Sequence, residues 1–126
     1  MKKGLILLLA AASSAWAHHS FAAEFDTNKP VTLHGKVTKI EWVNPHARFY
    51  IEVADPAGVW ELELGSPNTL LRYGFKRDSM KVGDDVIVEG YSAKDGSKFA
   101  NAKTVQLPDG RKVAAGSSSA QGTSDK

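Results

Sequence analysis

The sequence predicts an all-β domain with one short helix, arranged as a five-stranded OB-like barrel. Three observations support this prediction: five segments with the alternating pattern of half-buried strands, one helix signature after the third of them, and a long, bent first strand. In the chain order β-β-β-α-β-β, the first strand serves both halves of the barrel and the helix closes one end. A small β-sandwich or meander is the alternative that these patterns leave open.

The five predicted strands share a period of two, in which apolar and polar side chains alternate and one face is buried. Segments rich in glycine, proline, asparagine and aspartate separate them, as expected of turns. The strands are Val31–Val43, Ala47–Ala54, Val59–Leu64, Val86–Tyr91 and Phe99–Leu107.

The first strand changes phase along its length. Its apolar residues occupy odd positions as far as Val37 and even positions from Ile40 onward. Both sets can face the core only if an extra residue is inserted between them, so we predict a bulge or bend near Lys39. Gly35 would ease the curvature of such a strand.

The short helix is predicted between the third and fourth strands. Ser66 is a favourable N-cap, Pro67 suits the first helical position, and Gly74 ends the helix. We expect Leu70 and Leu71 to pack this helix against the sheet.

Met1–Ala17 has the features of a secretory signal. Two lysines near the start precede the apolar run Leu5–Ala12, and Ala15 and Ala17 form a small-residue cleavage site. The apolar run is too short to cross a bilayer as a helix, so we expect no membrane span after signal removal. The mature protein is therefore predicted to be periplasmic.

Composition divides the mature chain into three parts. His18–Pro30 is an N-terminal arm, Val31–Val113 is the β-domain, and Ala114–Lys126, rich in serine, glycine and alanine, is predicted to be a disordered tail.

The sequence contains no cysteine, which excludes disulfides and thiolate chemistry. Removal of the two leader lysines leaves 14 of the 16 basic residues against 14 acidic ones, and this balance argues against nucleic acid as a partner.

The most specific chemical feature is the pair His18 and His19 at the predicted cleavage point. Cleavage after Ala17 would place a free α-amine beside the His18 imidazole, and the amine and ring Nδ1 would close one chelate ring on a metal. Neutral imidazole suits copper, zinc and nickel. One further histidine would complete the three-nitrogen arrangement called a histidine brace, which favours Cu(II), with Zn(II) as the second candidate.

Two histidines of the β-domain are candidates for the third nitrogen. His46 comes first, because its turn joins the first two strands, and such loops form the ligand face of OB barrels. His34 is the second candidate, because it lies on the polar face of the first strand, where a histidine side chain is usually solvated. His19 has an alternative mode, through the amine, the intervening amide and its own ring. Glu24 or Asp26 would supply an oxygen ligand or orient a ligating imidazole.

The cleavage point itself has an alternative. Cleavage after Ala15 would begin the chain at Trp16, Ala17 and His18, which places a histidine third and creates the amino-terminal square-planar motif for Cu(II) or Ni(II). Copper binding would then be retained with a different ligand set. Paired histidines after a signal are also compatible with a soluble leader that has no metal function.

Several stretches that together cover nearly all of the mature chain match a known family. They are His18–Asp26, Gly35–Ala47, Gly65–Asn68, Gly83–Asp84 with Val86 and Gly90, and Leu107–Arg111. On these stretches the chain resembles a family of small exported bacterial proteins known as domain of unknown function 6152. Phe75 stands where the family is associated with tryptophan. The resemblance implies a small exported domain and no particular reaction.

Two other functions fit the sequence. One is a metal-free binding or adaptor module, whose barrel face around Asn44, Arg48 and Tyr50 would hold a periplasmic protein partner or a small ligand. The other is a small copper oxidoreductase. The sequence has no serine-centred elbow, no His-Glu-x-x-His helix and no phosphate-cradling glycine loop, so no catalytic residue is assigned.

Overall fold

The computed structural model describes residues 21–116 of the chain. The predicted signal Met1–Ala17, the pair His18–His19 and residues 117–126 of the predicted tail lie outside this range. Residues 21–24 are helical and lead directly into the first strand. No helix between residues 21 and 116 has the length and apolar character needed to cross a membrane. The elements are β1 (Phe25–Glu41), β2 (Arg48–Ala54), β3 (Ala57–Glu63), α1 (Pro67–Arg72), β4 (Asp85–Ala93), β5 (Phe99–Gln106) and β6 (Lys112–Ala114).

Five of the strands close into a ring. The sheet order is β3-β2-β1-β4-β5-β6 with antiparallel neighbours, and β3 also pairs in parallel with β5. This parallel pair aligns Glu61 with Phe99 and Glu63 with Asn101. The structure confirms a mostly antiparallel β-domain with one short helix, and it adds β6, which the sequence pattern does not predict.

β1 joins the two halves of the ring, because it pairs with β2 along one edge and with β4 along the other. Its register against β2 shifts between Val37 and Lys39, which confirms the predicted bulge. Gly35 lies where the strands are crowded, since a Cβ there would come within 2.8 Å of the Glu52 carbonyl oxygen. The bend and the glycine together allow one strand to serve both neighbours.

β1 begins at Phe25, within the predicted N-terminal arm His18–Pro30. Phe25 is 2% exposed, its ring centroid lies 5.0 Å from that of Phe99, and it is the register partner of Ala93. The register against β4 shifts between Phe25 and Pro30, where the chain is polar. Regular structure therefore starts before the predicted boundary at Val31.

α1 follows its predicted signature. The Ser66 hydroxyl accepts a hydrogen bond from the Thr69 backbone N–H at 3.3 Å and so satisfies an amide that the helix start leaves without a partner. Leu70 is fully buried, whereas Leu71 is 57% exposed, so the expectation that both leucines pack is wrong for Leu71. Consecutive helical residues point about 100° apart, so Leu71 faces away from the surface against which Leu70 is buried.

The core fills the inside of the ring. Alternate residues of β2 and β3 point inward, as their sequence pattern predicts. Trp60 is 8% exposed, and the Trp42 ring centroid lies 5.6 Å from that of Phe75, so both tryptophans serve the core. The large, nearly fully buried side chains include Phe49, Ile51, Leu62, Leu64, Leu70, Phe75, Met80 and Val88.

The chain beyond β5 folds back onto the sheet. β6 pairs with the end of β5. The Ala115 N–H then donates to the Lys103 carbonyl oxygen at 2.9 Å, and the Ala115 carbonyl accepts from the Gly65 N–H at 2.9 Å. The described structure thus continues as far as residue 116, past the predicted start of the tail at Ala114.

Replacing Gly90 by alanine should destabilise the fold. Gly90 lies at the register shift between β4 and β5, and a Cβ there would overlap the carbonyl oxygen of Asn101. Overpacking costs about 1–3 kcal/mol or more, so we expect Gly90→Ala to lower the free energy of unfolding by at least about 2 kcal/mol in urea titrations. Ser92→Ala on the same strand is the control and should change it by less than about 0.5 kcal/mol. An unchanged midpoint for Gly90→Ala would contradict this close approach.

Candidate functional site

His46 is held at the end of β3 by backbone hydrogen bonds. The Ala47 N–H donates to the Gly65 carbonyl at 3.0 Å, and the Leu64 N–H donates to the Ala47 carbonyl at 2.9 Å. His46 Nδ1 lies 3.2 Å from the Leu64 carbonyl oxygen. Because a carbonyl only accepts, Nδ1 carries the proton of the neutral ring, and Nε2 keeps its lone pair.

Glu63 lies beside His46 on the outer face of β3. Its Oε1 is 4.0 Å from His46 Nδ1, and its side chain is only 13% exposed. Burial raises the pKa of Glu63 and the charge of Glu24 adds to this effect, whereas His46 opposes it. The sequence pattern does not single out Glu63, because alternation places it outward without showing how far it is covered.

Glu61 connects the two candidate residues of β2. Its Oε1 accepts a hydrogen bond from the Tyr50 hydroxyl at 2.7 Å and another from Arg48 Nη1 at 3.3 Å. The bond to Glu61, together with burial, raises the pKa of Tyr50 to about 12. Tyr50 is therefore a neutral donor at physiological pH. We use the name outer-face cluster for His46, Arg48, Tyr50, Glu61 and Glu63.

β1 contributes an ion pair at the edge of the outer-face cluster. Lys39 Nζ lies 3.0 Å from Glu41 Oε1 and 5.4 Å from the centroid of the Tyr50 ring. The hydrogen bond from Lys39 lowers the pKa of Glu41. The Lys39 side chain is 64% exposed, so water screens this pair and it adds little to stability.

His34 is not part of the outer-face cluster. It is exposed on β1 opposite Ile87, seven positions before Glu41, which is about 23 Å along an extended strand. There it borders a cleft of about 570 Å³, whose lining also includes Lys36 and Glu52. The structure thus separates the second candidate for the third nitrogen from the first.

The remaining predicted residues have different surroundings. The Glu24 carbonyl accepts from the Lys94 N–H at 2.8 Å, and its carboxylate acts on Glu63. Asp26 Oδ1 accepts from the Asn28 N–H at 2.9 Å, which is a local turn contact. Asn44 lies two positions before His46 in the chain and is exposed.

Within residues 21–116 no group of three or more His, Cys, Asp or Glu is placed to hold a metal, while His18 and His19 lie outside this range.

A family model described as "Family of unknown function (DUF6152)" matches residues 6–102 of the chain, which include the whole outer-face cluster. No curated protein matches the chain.

Two similar solved structures are a ZRD-deleted mutant of TiaS in complex with agmatine and a complex of TiaS with a transfer RNA and ATP. Each has a TM-score of 0.49 and 21% sequence identity over 65% of this chain. The match spans 22% of the first chain and 18% of the second, so this protein corresponds to only a small part of either. A likeness of this degree assigns neither a ligand nor a reaction.

Replacing Glu63 by glutamine should stabilise the protein at neutral pH. A carboxyl group whose pKa is raised on folding adds its full contribution to the stability of the folded state only below its pKa in the unfolded state, here 4.5. This contribution is lost as the pH rises through the pKa of the group in the folded state. Glutamine carries no charge and avoids that loss. In a form extended ahead of His18, where no free amine can pair with Glu63, we expect Glu63→Gln to melt above the otherwise unchanged protein at about pH 7, with a smaller difference at about pH 4.

Glu52→Gln, at an exposed position of β2, is the control for this effect. It should show no pH-dependent gain in melting temperature. If the two variants behave alike, the burial of Glu63 is not the source of its raised pKa.

Replacing Glu61 by glutamine should lower the pKa of Tyr50 from about 12 toward its ordinary value of 10.0. The variant loses the anionic acceptor that keeps the phenol protonated. Because the pKa is raised, the stability that this contact provides is complete below about pH 10 and is lost as the pH approaches about 12. Tyrosinate absorbance followed against pH measures the shift, and Tyr50→Phe identifies the step. A Tyr50 titration unchanged by Glu61→Gln would contradict this assignment.

Proposed function

The chain belongs to the family of unknown function DUF6152, and because that membership assigns no activity, we propose from the site itself that this is a periplasmic Cu(II)-binding protein. Its ligands are the α-amine and imidazole of His18, exposed by cleavage after Ala17, together with His46 and with His19 as an alternative donor. Zn(II) is the second candidate for the same nitrogens.

The orientation of the His46 ring is the main support for this proposal. Metal-ligating histidines usually donate their second ring N–H to a carbonyl or carboxylate, which fixes the tautomer. His46 Nδ1 has the Leu64 carbonyl at 3.2 Å and the Glu63 carboxylate at 4.0 Å. Its Nε2 is therefore the atom left for a metal, and the side chain is 40% exposed and accessible.

The start of the described chain lies near the outer-face cluster. The charge of Glu24 helps to raise the pKa of Glu63, so the two carboxylates are close enough to interact electrostatically. His18 is six positions before Glu24, a separation of at most about 20 Å in an extended chain and about 9 Å in a helix. A terminus at His18 that extends toward Glu63 would also approach His46, whose Nδ1 lies 4.0 Å from Glu63 Oε1.

The same proposal includes an OB-like barrel for the closed ring. Its support is the ring order β1-β2-β3-β5-β4, the parallel β3–β5 pair and the position of α1 between β3 and β4. In OB folds the face of strands 2 and 3 and the adjacent loops bind ligands. The outer-face cluster occupies this face.

Copper titration of two forms of the protein tests the proposal. The mature form begins at His18, and the extended form carries Gly-Ser-Gly-Ser-Gly ahead of His18, which removes the amine from the histidine. Loss of a residue that only hydrogen-bonds a metal ligand already lowers metal affinity about 10–100-fold. Loss of the amine, which is itself a ligand, should therefore weaken Cu(II) binding by more than about 100-fold. His46→Ala in the mature form should cause a comparable loss, measured by calorimetry. His34→Ala is the matched control and should cause none.

Several outcomes would contradict the proposal. Equal Cu(II) affinity of the mature and extended forms would exclude the amine as a ligand. An intact mass that starts at Trp16 would move the copper site to Trp16, Ala17 and His18 and make it independent of His46. An adaptor would bind no Cu(II) tightly in either form, whereas a copper oxidoreductase would also consume oxygen or peroxide when loaded.

A further inference from the structure

Asn101 is an exception to the rule that buried polar groups are hydrogen-bonded. The residue is 1% exposed, yet neither its Nδ2 nor its Oδ1 has a hydrogen-bond partner in the described part of the chain. A buried amide whose two polar atoms both lack partners calls for an explanation, and a further group bound against it is one.

The register partners of Asn101 give it a polar setting. It is aligned with Glu63 across the parallel pair and with Tyr91 across the antiparallel pair. Ala100 and Leu62, which precede Asn101 and Glu63, lie in the core, so strand alternation puts Asn101, Glu63 and Tyr91 on the outer face. Neighbouring strands are about 4.8 Å apart, and these three side chains therefore form a row about 10 Å long. We call this row the closure seam.

The closure seam offers a carboxylate beside an amide. Glu63 is a mostly covered anion, 4.0 Å from the His46 ring, and the charge of Glu24 makes its surroundings more negative. The Asn101 side chain presents one acceptor and one donor group. A primary ammonium joined to a peptide group complements this set, since the ammonium pairs with the carboxylate and the peptide N–H and C=O pair with the amide. This is the chemistry of a polypeptide amino terminus.

We infer that the closure seam is the docking site for this protein's own processed amino terminus, with the His18 ammonium on Glu63 and the first peptide group on Asn101. The inference rests on the cleavage after Ala17 in the proposed function and deepens it. Docking at the closure seam brings the amine next to His46 before any metal arrives, and so preorganises the nitrogen ligands.

The path of the chain supports this occupant. The Phe21 ring packs edge-on against Tyr91 with 6.4 Å between ring centroids, and Tyr91 is the register partner of Asn101. The chain therefore enters the described structure alongside the closure seam. His18 is three positions before Phe21, at most about 10 Å away in an extended chain, which is about the length of the closure seam. The hydrogen bond from the Lys94 N–H to the Glu24 carbonyl at 2.8 Å fixes the segment after Phe21.

The first test compares the metal-free mature form with the form extended by Gly-Ser-Gly-Ser-Gly. In ¹⁵N-labelled protein, the Asn101 side-chain amide resonances should differ clearly between the two forms, because only the mature terminus reaches the closure seam. The side-chain amide of Asn68, on α1, is the internal control and should not move. Coincident Asn101 resonances in the two forms would overturn the inference.

The second test measures coupling between the terminus and Glu63. The extension should lower the melting temperature of the metal-free protein by about 3 °C or more, and this loss should largely disappear in a Glu63→Gln background. In a Glu52→Gln background the extension should have its full effect. A loss that persists undiminished with Glu63→Gln would also overturn the inference.

Both tests are made without metal, so they separate this inference from the proposed function. Asn101 resonances that move in a protein that fails to bind Cu(II) would retain the docking site and reject copper. Tight Cu(II) binding that depends on the amine, with unmoved Asn101 resonances, would retain copper and reject the docking site.

Discussion

The parallel pairing of β3 with β5 is the constraint on which the rest of the structure depends. It closes the ring, so the apolar faces of five strands share one interior. The same register places Glu63 beside Asn101, two residues that are distant in the sequence. Because strand side chains alternate, Leu62 and Ala100 point into the core while Glu63 and Asn101 point outward. One set of backbone hydrogen bonds therefore builds both the core and the candidate site.

The parts of the fold that the sequence predicts correctly have local signals. A period of two identifies β2 and β3, a change of phase identifies the bulge near Lys39, and Ser66 with Pro67 identifies α1. The start of β1 at Phe25 and the whole of β6 escape prediction. Both depend on pairing with other strands, β4 and β5, rather than on an apolar pattern of their own.

The candidate site likewise contains some residues that the sequence identifies and others that only the structure reveals. His46 is identified by the turn that carries it, and Arg48 and Tyr50 follow from the outward face of β2. Alternation treats Glu61 and Glu63 alike, yet Glu61 is hydrogen-bonded by Tyr50 and Glu63 is covered, which only the packed structure reveals. Asn101 has no sequence signal, because its environment is created by strands from both sides of the ring closure.

Glu63 and Asn101 both work against stability, and their position argues for a function at the ring closure. Burial disfavours the charge of Glu63, and both polar atoms of the Asn101 side chain lack partners among the described residues. Departures from the rules of a stable fold are expected at functional sites, and here two of them fall in one register pair beside His46. A positive charge and a peptide group bound there would satisfy both. The cleft beside His34 has no comparable feature, because its Lys36 and Asp85 already pair at 3.2 Å in an exposed setting.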